Sequence, residues 1–158
     1  MTSYIYEWDR TFSLEHIRQE YPVYGTTDYR HPAIELLQEN GSRISEFQYE
    51  SYEIIDGKPK LSGLPATYTE SEGEAQTLRI FLKDALTGAK LALLYTIFDE
   101  YSAIARSAYI ENAGEKNLHV LNMMSLSLDL PDKDYEWMQL SGAWSRERYI
   151  KRSEERRV

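Results

Sequence analysis

Two stretches hold the side chains best suited to chemistry. Tyr24-Gly25-Thr26-Thr27-Asp28-Tyr29-Arg30 puts an acid, aromatic rings and a guanidinium into one irregular segment. Asp9-Arg10-Thr11-Phe12-Ser13-Leu14 puts an arginine beside an aromatic. Sugars are held by aromatic faces together with planar hydrogen-bonders such as carboxylate and guanidinium. Either stretch could therefore meet a carbohydrate, and loops are where such contacts concentrate. The plainer alternative is structural, with Arg10, and Asp28 with Arg30, forming ion pairs that hold their loops. A third stretch, Ser141-Gly142-Ala143-Trp144-Ser145-Arg146-Glu147-Arg148, interleaves a tryptophan with Arg-Glu-Arg. In a strand, Arg146 and Arg148 share one face and Glu147 takes the other. That pattern suits an interface or a domain-junction strand.

Other chemistries lack their residues. His16, His31 and His119 are isolated, and none sits at metal-ligand spacing from another donor, so no metal or cofactor is expected. There is no Gly-x-Ser-x-Gly and no phosphate-binding loop. A glycosidase needs only two carboxylates, one on each side of the scissile bond. The 26 acids here make many chance pairs, so their number selects none of them.

The elements that must position these loops read as strands. Residues 4–8 alternate, residues 9–13 break the pattern, and Ser13 can cap a short helical turn through Glu20. Residues 21–32 are interrupted by Pro22, Gly25 and Pro32, and residues 33–39 form a strand. Asn40-Gly41 predicts a hairpin into a strand over 42–55, whose parity change near Ser51 predicts a bulge. Gly57-Lys58-Pro59-Lys60-Leu61-Ser62-Gly63-Leu64-Pro65-Ala66-Thr67-Tyr68 is a shaped connection, because proline fixes φ and glycine permits φ > 0. Clean alternation follows over 77–83, 89–98, 104–111 and 117–130, which predicts four consecutive antiparallel strands. Leu91 to Leu94 give the second of these an apolar stretch that fits burial on both faces. Two further strands, 135–140 and 144–150, complete an all-β sandwich or barrel.

At 158 residues the chain is one domain, or a piece of something larger. Its thirteen tyrosines suit half-buried sheet faces, interfaces and sugar sites alike. The net charge of −8 argues against a general affinity for nucleic acid or anionic membranes. Residues 144–158 are locally basic, with six Arg or Lys against three Glu. With no cysteine, no disulfide or thiolate metal site is possible. No apolar run is long enough to cross a bilayer as a helix and no leader pattern is visible, which gives a cytoplasmic expectation.

Several of these motifs, in order, resemble one family. They are Tyr21-Pro22, Tyr24-Gly25, Asp28-Tyr29-Arg30, Pro32-Ala33, Asn40-Gly41-Ser42, Gly57-Lys58-Pro59, Gly63-Leu64-Pro65-Ala66-Thr67-Tyr68, Tyr95-Thr96-Ile97-Phe98 and Leu140-Ser141-Gly142-Ala143-Trp144, closing on Arg146-Glu147-Arg148. Together they resemble the N-terminal β-supersandwich domain of bacterial α-galactosidases, family thirty-six of the glycoside hydrolases. The resemblance runs from about residue 9 to residue 152, with residues 153–158 a divergent tail. It implies an antiparallel β-supersandwich over residues 1–158, truncated at its N-terminal edge. It also implies that the two catalytic aspartates of a retaining mechanism lie in a following (β/α)₈ barrel, so none is assigned here. The parent enzyme would act on α-galactosides as a homo-oligomer, and this piece alone would be inactive and would self-associate through unpaired edges. In tetrameric relatives the N-terminal domain lends an arginine to the neighbour's galactose pocket, and Arg10 matches it. Arg10 is thus a substrate-contact candidate by resemblance, followed by Asp28, Tyr29 and Arg30.

Overall fold

The computed structural model describes residues 17–25, 28–63, 66–131 and 134–154. All regular structure within them is β: β1 (Ile34–Gln38), β2 (Phe47–Asp56), β3 (Gln76–Asp84), β4 (Ala89–Phe98), β5 (Ala103–Asn112), β6 (Leu118–Met123), β7 (Glu136–Ala143) and β8 (Arg146–Glu154). They form a four-stranded antiparallel sheet in the order β2-β3-β4-β5 and two antiparallel pairs, β1-β6 and β7-β8. The all-β antiparallel expectation holds. The strand expected over 4–8 and most of the turn from Ser13 lie outside the described residues. Residues 17–20, the described end of that turn, are not helical.

Two expectations are corrected. The Asn40-Gly41 turn does form, with Gly41 N–H donating to the Gln38 carbonyl at 2.9 Å. It is not a hairpin between neighbours, however, because β1 pairs with β6 and β2 starts only at Phe47. The intervening residues cross to the other sheet, where the buried Asp84 carboxylate accepts Glu46 N–H at 3.1 Å. Likewise the four consecutive strands do not share one sheet. β2, β3, β4 and β5 do, whereas β6 crosses over to β1 and ends at Met123, with residues 124–130 irregular. Alternation reports that a segment is a strand and is silent on its partner.

The core lies between these layers. Ile34 and Leu36 of β1 pack on Ala89, Leu91 and Leu93 of β4, with Ile80, Leu82, Ala108 and Ile110 around them. β4 is central, and Leu91, Ala92, Leu93 and Leu94 are all buried, so both its faces are covered, as its unbroken apolar run requires. The bulge expected near Ser51 is present, the register of β2 against β3 shifting between Tyr49 and Ser51.

Turns fix the register. Asp84 accepts Leu86 and Thr87 N–H at 2.8 and 3.2 Å and closes the β3–β4 connection at Gly88, whose N–H donates to the Asp84 carbonyl at 2.9 Å. A Cβ on Gly88 would lie 2.8 Å from Gly114 Cα, and one on Gly114 would lie 2.0 Å from the Thr87 carbonyl oxygen. The two turns at this end therefore approach closely enough to demand glycine on both sides. At the other end, the buried Thr77 hydroxyl lies 2.7 Å from both the Gly57 carbonyl and the Thr96 hydroxyl. That anchors the shaped Gly57–Tyr68 connection to the sheet.

Candidate functional site

The 21–30 segment is built from the core outward. Pro22 has no N–H to satisfy, and its carbonyl accepts Ala33 N–H at 2.8 Å. Val23 bridges to Ile34 in parallel, which ties the loop to the edge of β1. The Tyr21 hydroxyl donates to the Met124 carbonyl just beyond β6. Tyr24 is fixed by Arg43, whose guanidinium stacks 4.3 Å from the ring and donates to the Tyr24 hydroxyl at 2.9 Å and to Glu35 at 2.8 Å.

Asp28 and Arg30 are spent on the loop itself. The Asp28 side chain is 1% exposed. Its carboxylate accepts Arg30 N–H at 3.1 Å and Arg30 Nε at 2.9 and 3.0 Å. Arg30 Nη1 donates to Asp129, and Nη2 donates to the Ile17 carbonyl at 2.7 Å. These hydrogen bonds hold the Asp28 carboxyl below the ordinary carboxylate range and raise Arg30 above its own. Between them Tyr29 is 86% exposed. The arrangement is a clamp that joins three distant stretches and presents one aromatic ring to solvent. Arg10 and its neighbours lie outside the described residues.

A second cluster escaped the sequence reading. Glu20 accepts the Tyr95 hydroxyl at 2.6 Å and Arg106 Nη2 at 2.7 Å. The Arg106 guanidinium lies 3.8 Å from the Tyr95 ring centroid and its side chain is 6% exposed. Burial, then the Glu20 hydrogen bond, push the Tyr95 phenol well above its ordinary range; burial alone raises Tyr21. The signal was present, because Arg106 interrupts the apolar parity of Ile104, Ala108 and Ile110 on β5. A charge at a core-facing position calls for a stacked and hydrogen-bonded partner.

The β7–β8 hairpin differs from both. Register places Met138, Leu140 and Ile150 on one face and Trp137 and Tyr149 on the other, all exposed. The expected sharing of a face by Arg146 and Arg148 is broken by a bulge: Arg148 has φ 62° and the register shifts between Ser141 and Ala143. Gly142 is needed opposite the bulge, since a Cβ there would lie 2.6 Å from the Arg146 carbonyl oxygen. Among the described residues no group of His, Asp or Glu is arranged to hold a metal ion, and no helix is long and apolar enough to cross a membrane.

The described residues form an antiparallel β-sandwich with an ion-paired loop and exposed aromatics on one hairpin. The family model described as the glycosyl hydrolase family 36 N-terminal domain matches residues 2–157, and the chain belongs to that family. The α-galactosidase AgaA of Geobacillus stearothermophilus is 51% identical over 91% of this chain, which spans 20% of that protein. Crystal structures of AgaA variants in complex with raffinose and with stachyose each superpose with a TM-score of 0.87 at 50% identity, over 92% of this chain and 20% of theirs. The chain thus spans about a fifth of the length of these relatives.

Proposed function

We propose that this chain is the N-terminal domain, or a fragment of it, of an α-galactosidase that hydrolyses terminal α-galactosyl residues of oligosaccharides such as melibiose and raffinose. The reading rests on one observation: nearly all of the chain aligns with the same fifth-length portion of enzymes named as α-galactosidases. On this reading the domain supports assembly of a homo-oligomer and contributes to the rim of the sugar pocket, and the retaining chemistry resides elsewhere in the parent protein. Arg10 would donate to a sugar hydroxyl, Tyr29 would offer its exposed ring, and Asp28 with Arg30 would keep that ring in place.

Kinetics on the full-length parent test this. Arg10→Ala is expected to raise KM for raffinose, and Tyr29→Ala to raise it less, while the isolated 158-residue chain releases no galactose. Unchanged KM and kcat in both variants would leave the domain a purely structural assembly element.

A further inference from the structure

Among the described strands, the most acidic and the most basic are both edge strands. β2 pairs only with β3, and β8 only with β7, so each leaves one side of its backbone without a strand partner among the described residues. An open row of N–H and C=O groups is a template for pairing with another strand. β2 carries Glu50, Glu53 and Asp56 and no Lys or Arg. β8 carries Arg146, Arg148, Lys151 and Arg152 against Glu147 and Glu154. Every other described strand lies within one charge of neutrality.

Most of these charges are uncommitted. Glu53 pairs with Arg79 at 2.7 Å, and Arg152 approaches Glu136 only to 3.8 Å. Glu50 and Asp56 on β2, and Arg146, Arg148 and Lys151 on β8, are exposed and have no ion pair among the described residues. Exposed apolar residues stand beside them, Tyr52 and Ile54 on β2 and Tyr149 and Ile150 on β8. Two β2 edges brought together oppose acid to acid, and two β8 edges oppose base to base. Like charges directly opposite are destabilising. The other open edge of the main sheet, β5, carries one acid and a buried arginine and selects neither sign. β2 against β8 is the pairing in which charge and apolar surface both match.

We propose that β8 of one copy of this chain adds antiparallel to the β2 edge of a second copy, extending the four-stranded sheet, with Ile150 opposite Ile54. That register puts Lys151 opposite Glu53 and brings Arg148 to Asp56. A reciprocal exchange of two hairpins closes the assembly, and a one-way contact extends it. The contact deepens the assembly role proposed above and rests on that part of it alone. Raffinose hydrolysis by the parent is a separate readout, so the two readings fail separately.

Light scattering of the 158-residue chain tests the contact. The native chain is expected to associate, and to do so less as salt rises. Glu53→Lys with Asp56→Lys, and separately Arg148→Glu with Lys151→Glu, should each weaken self-association at least about tenfold, because each gives both edges the same sign. Mixing the two variants should restore association, since the basic β8 of the first meets the acidic β2 of the second. A chain that is merely adhesive would show no such recovery. The chain has no cysteine, so the register can be read directly. Ile54→Cys mixed with Ile150→Cys under oxidising conditions should give a heterodisulfide in excess of either homodisulfide. A monomeric native chain, undiminished association in either charge-reversed variant, no recovery on mixing, or no excess of the heterodisulfide would overturn the proposal.

Discussion

The β3–β4 hairpin and the β7–β8 hairpin obey the same local rules and meet opposite fates. Both alternate apolar and polar residues, both are antiparallel, and both close on tight turns. β4 is buried on both faces along Leu91 to Leu94, whereas seven of the eight residues of β7 are exposed. The difference lies in what stands opposite. β4 has β1 against its inner face and strands on both edges. Among the described residues the side-chain hydrogen bonds of the β7–β8 hairpin stay within it: Trp137 donates to Gln139, Ser141 to the Tyr149 carbonyl, and Ser145 N–H to the Glu147 carboxylate. An isolated two-stranded hairpin is marginal in water. Strand propensity builds the ribbon, and only an opposing layer turns it into core.

Substitutions can break this comparison. Leu93→Ala, on the buried face of β4, is expected to cost about 2–5 kcal/mol, read as a lower urea midpoint. A loss under about 1 kcal/mol would mean that the β1–β4 layer is not the cooperative core.

Arg30→Met should cost roughly 2–3 kcal/mol, below the range of a fully buried pair because the Arg30 side chain is 27% exposed. It also carries a pH signature. The folded Asp28 carboxyl titrates below its ordinary value of 3.8, so its contribution is present above that value and is lost as pH falls through the lower folded one. Acid unfolding profiles should therefore show a steeper loss below about pH 4 in the native chain than in Arg30→Met. Identical profiles would remove Asp28 from the acid transition.

Thr77→Val leaves the Gly57 carbonyl and the Thr96 hydroxyl without their shared partner. The expected cost is about 1–2 kcal/mol, with faster amide exchange along residues 57–63. The smallest effect belongs to the hairpin. Leu140→Ala, at 64% exposure, should move the midpoint by less than about 0.5 kcal/mol. The same exposed face should make the isolated chain self-associate, and Leu140→Lys with Ile150→Lys should lower its mass by light scattering. A native chain that is already monomeric would show that this face does not drive association.

The candidate loop shows how far residue types reach. Tyr24, Asp28, Tyr29 and Arg30 stand together in the sequence, and the reading of Asp28 with Arg30 as an ion pair was available from spacing alone. Asp129 was not, because 99 residues separate it from Arg30. The Glu20–Tyr95–Arg106 cluster joins residues up to 86 positions apart, and only the odd charge on β5 hinted at it.

The sequence by itself determined the all-β class, the bounds of β4 as Ala89–Phe98, the turn at Asn40-Gly41, and the bulge in β2. Each is written within a few neighbouring residues, as alternation, glycine or a capping side chain. Only the tertiary structure decided that β1 pairs with β6, that β6 leaves the main sheet, and that β7 and β8 stand apart. Strand pairing is a choice among distant partners, settled by which apolar faces can be buried together, and a period of two residues is the same for every partner.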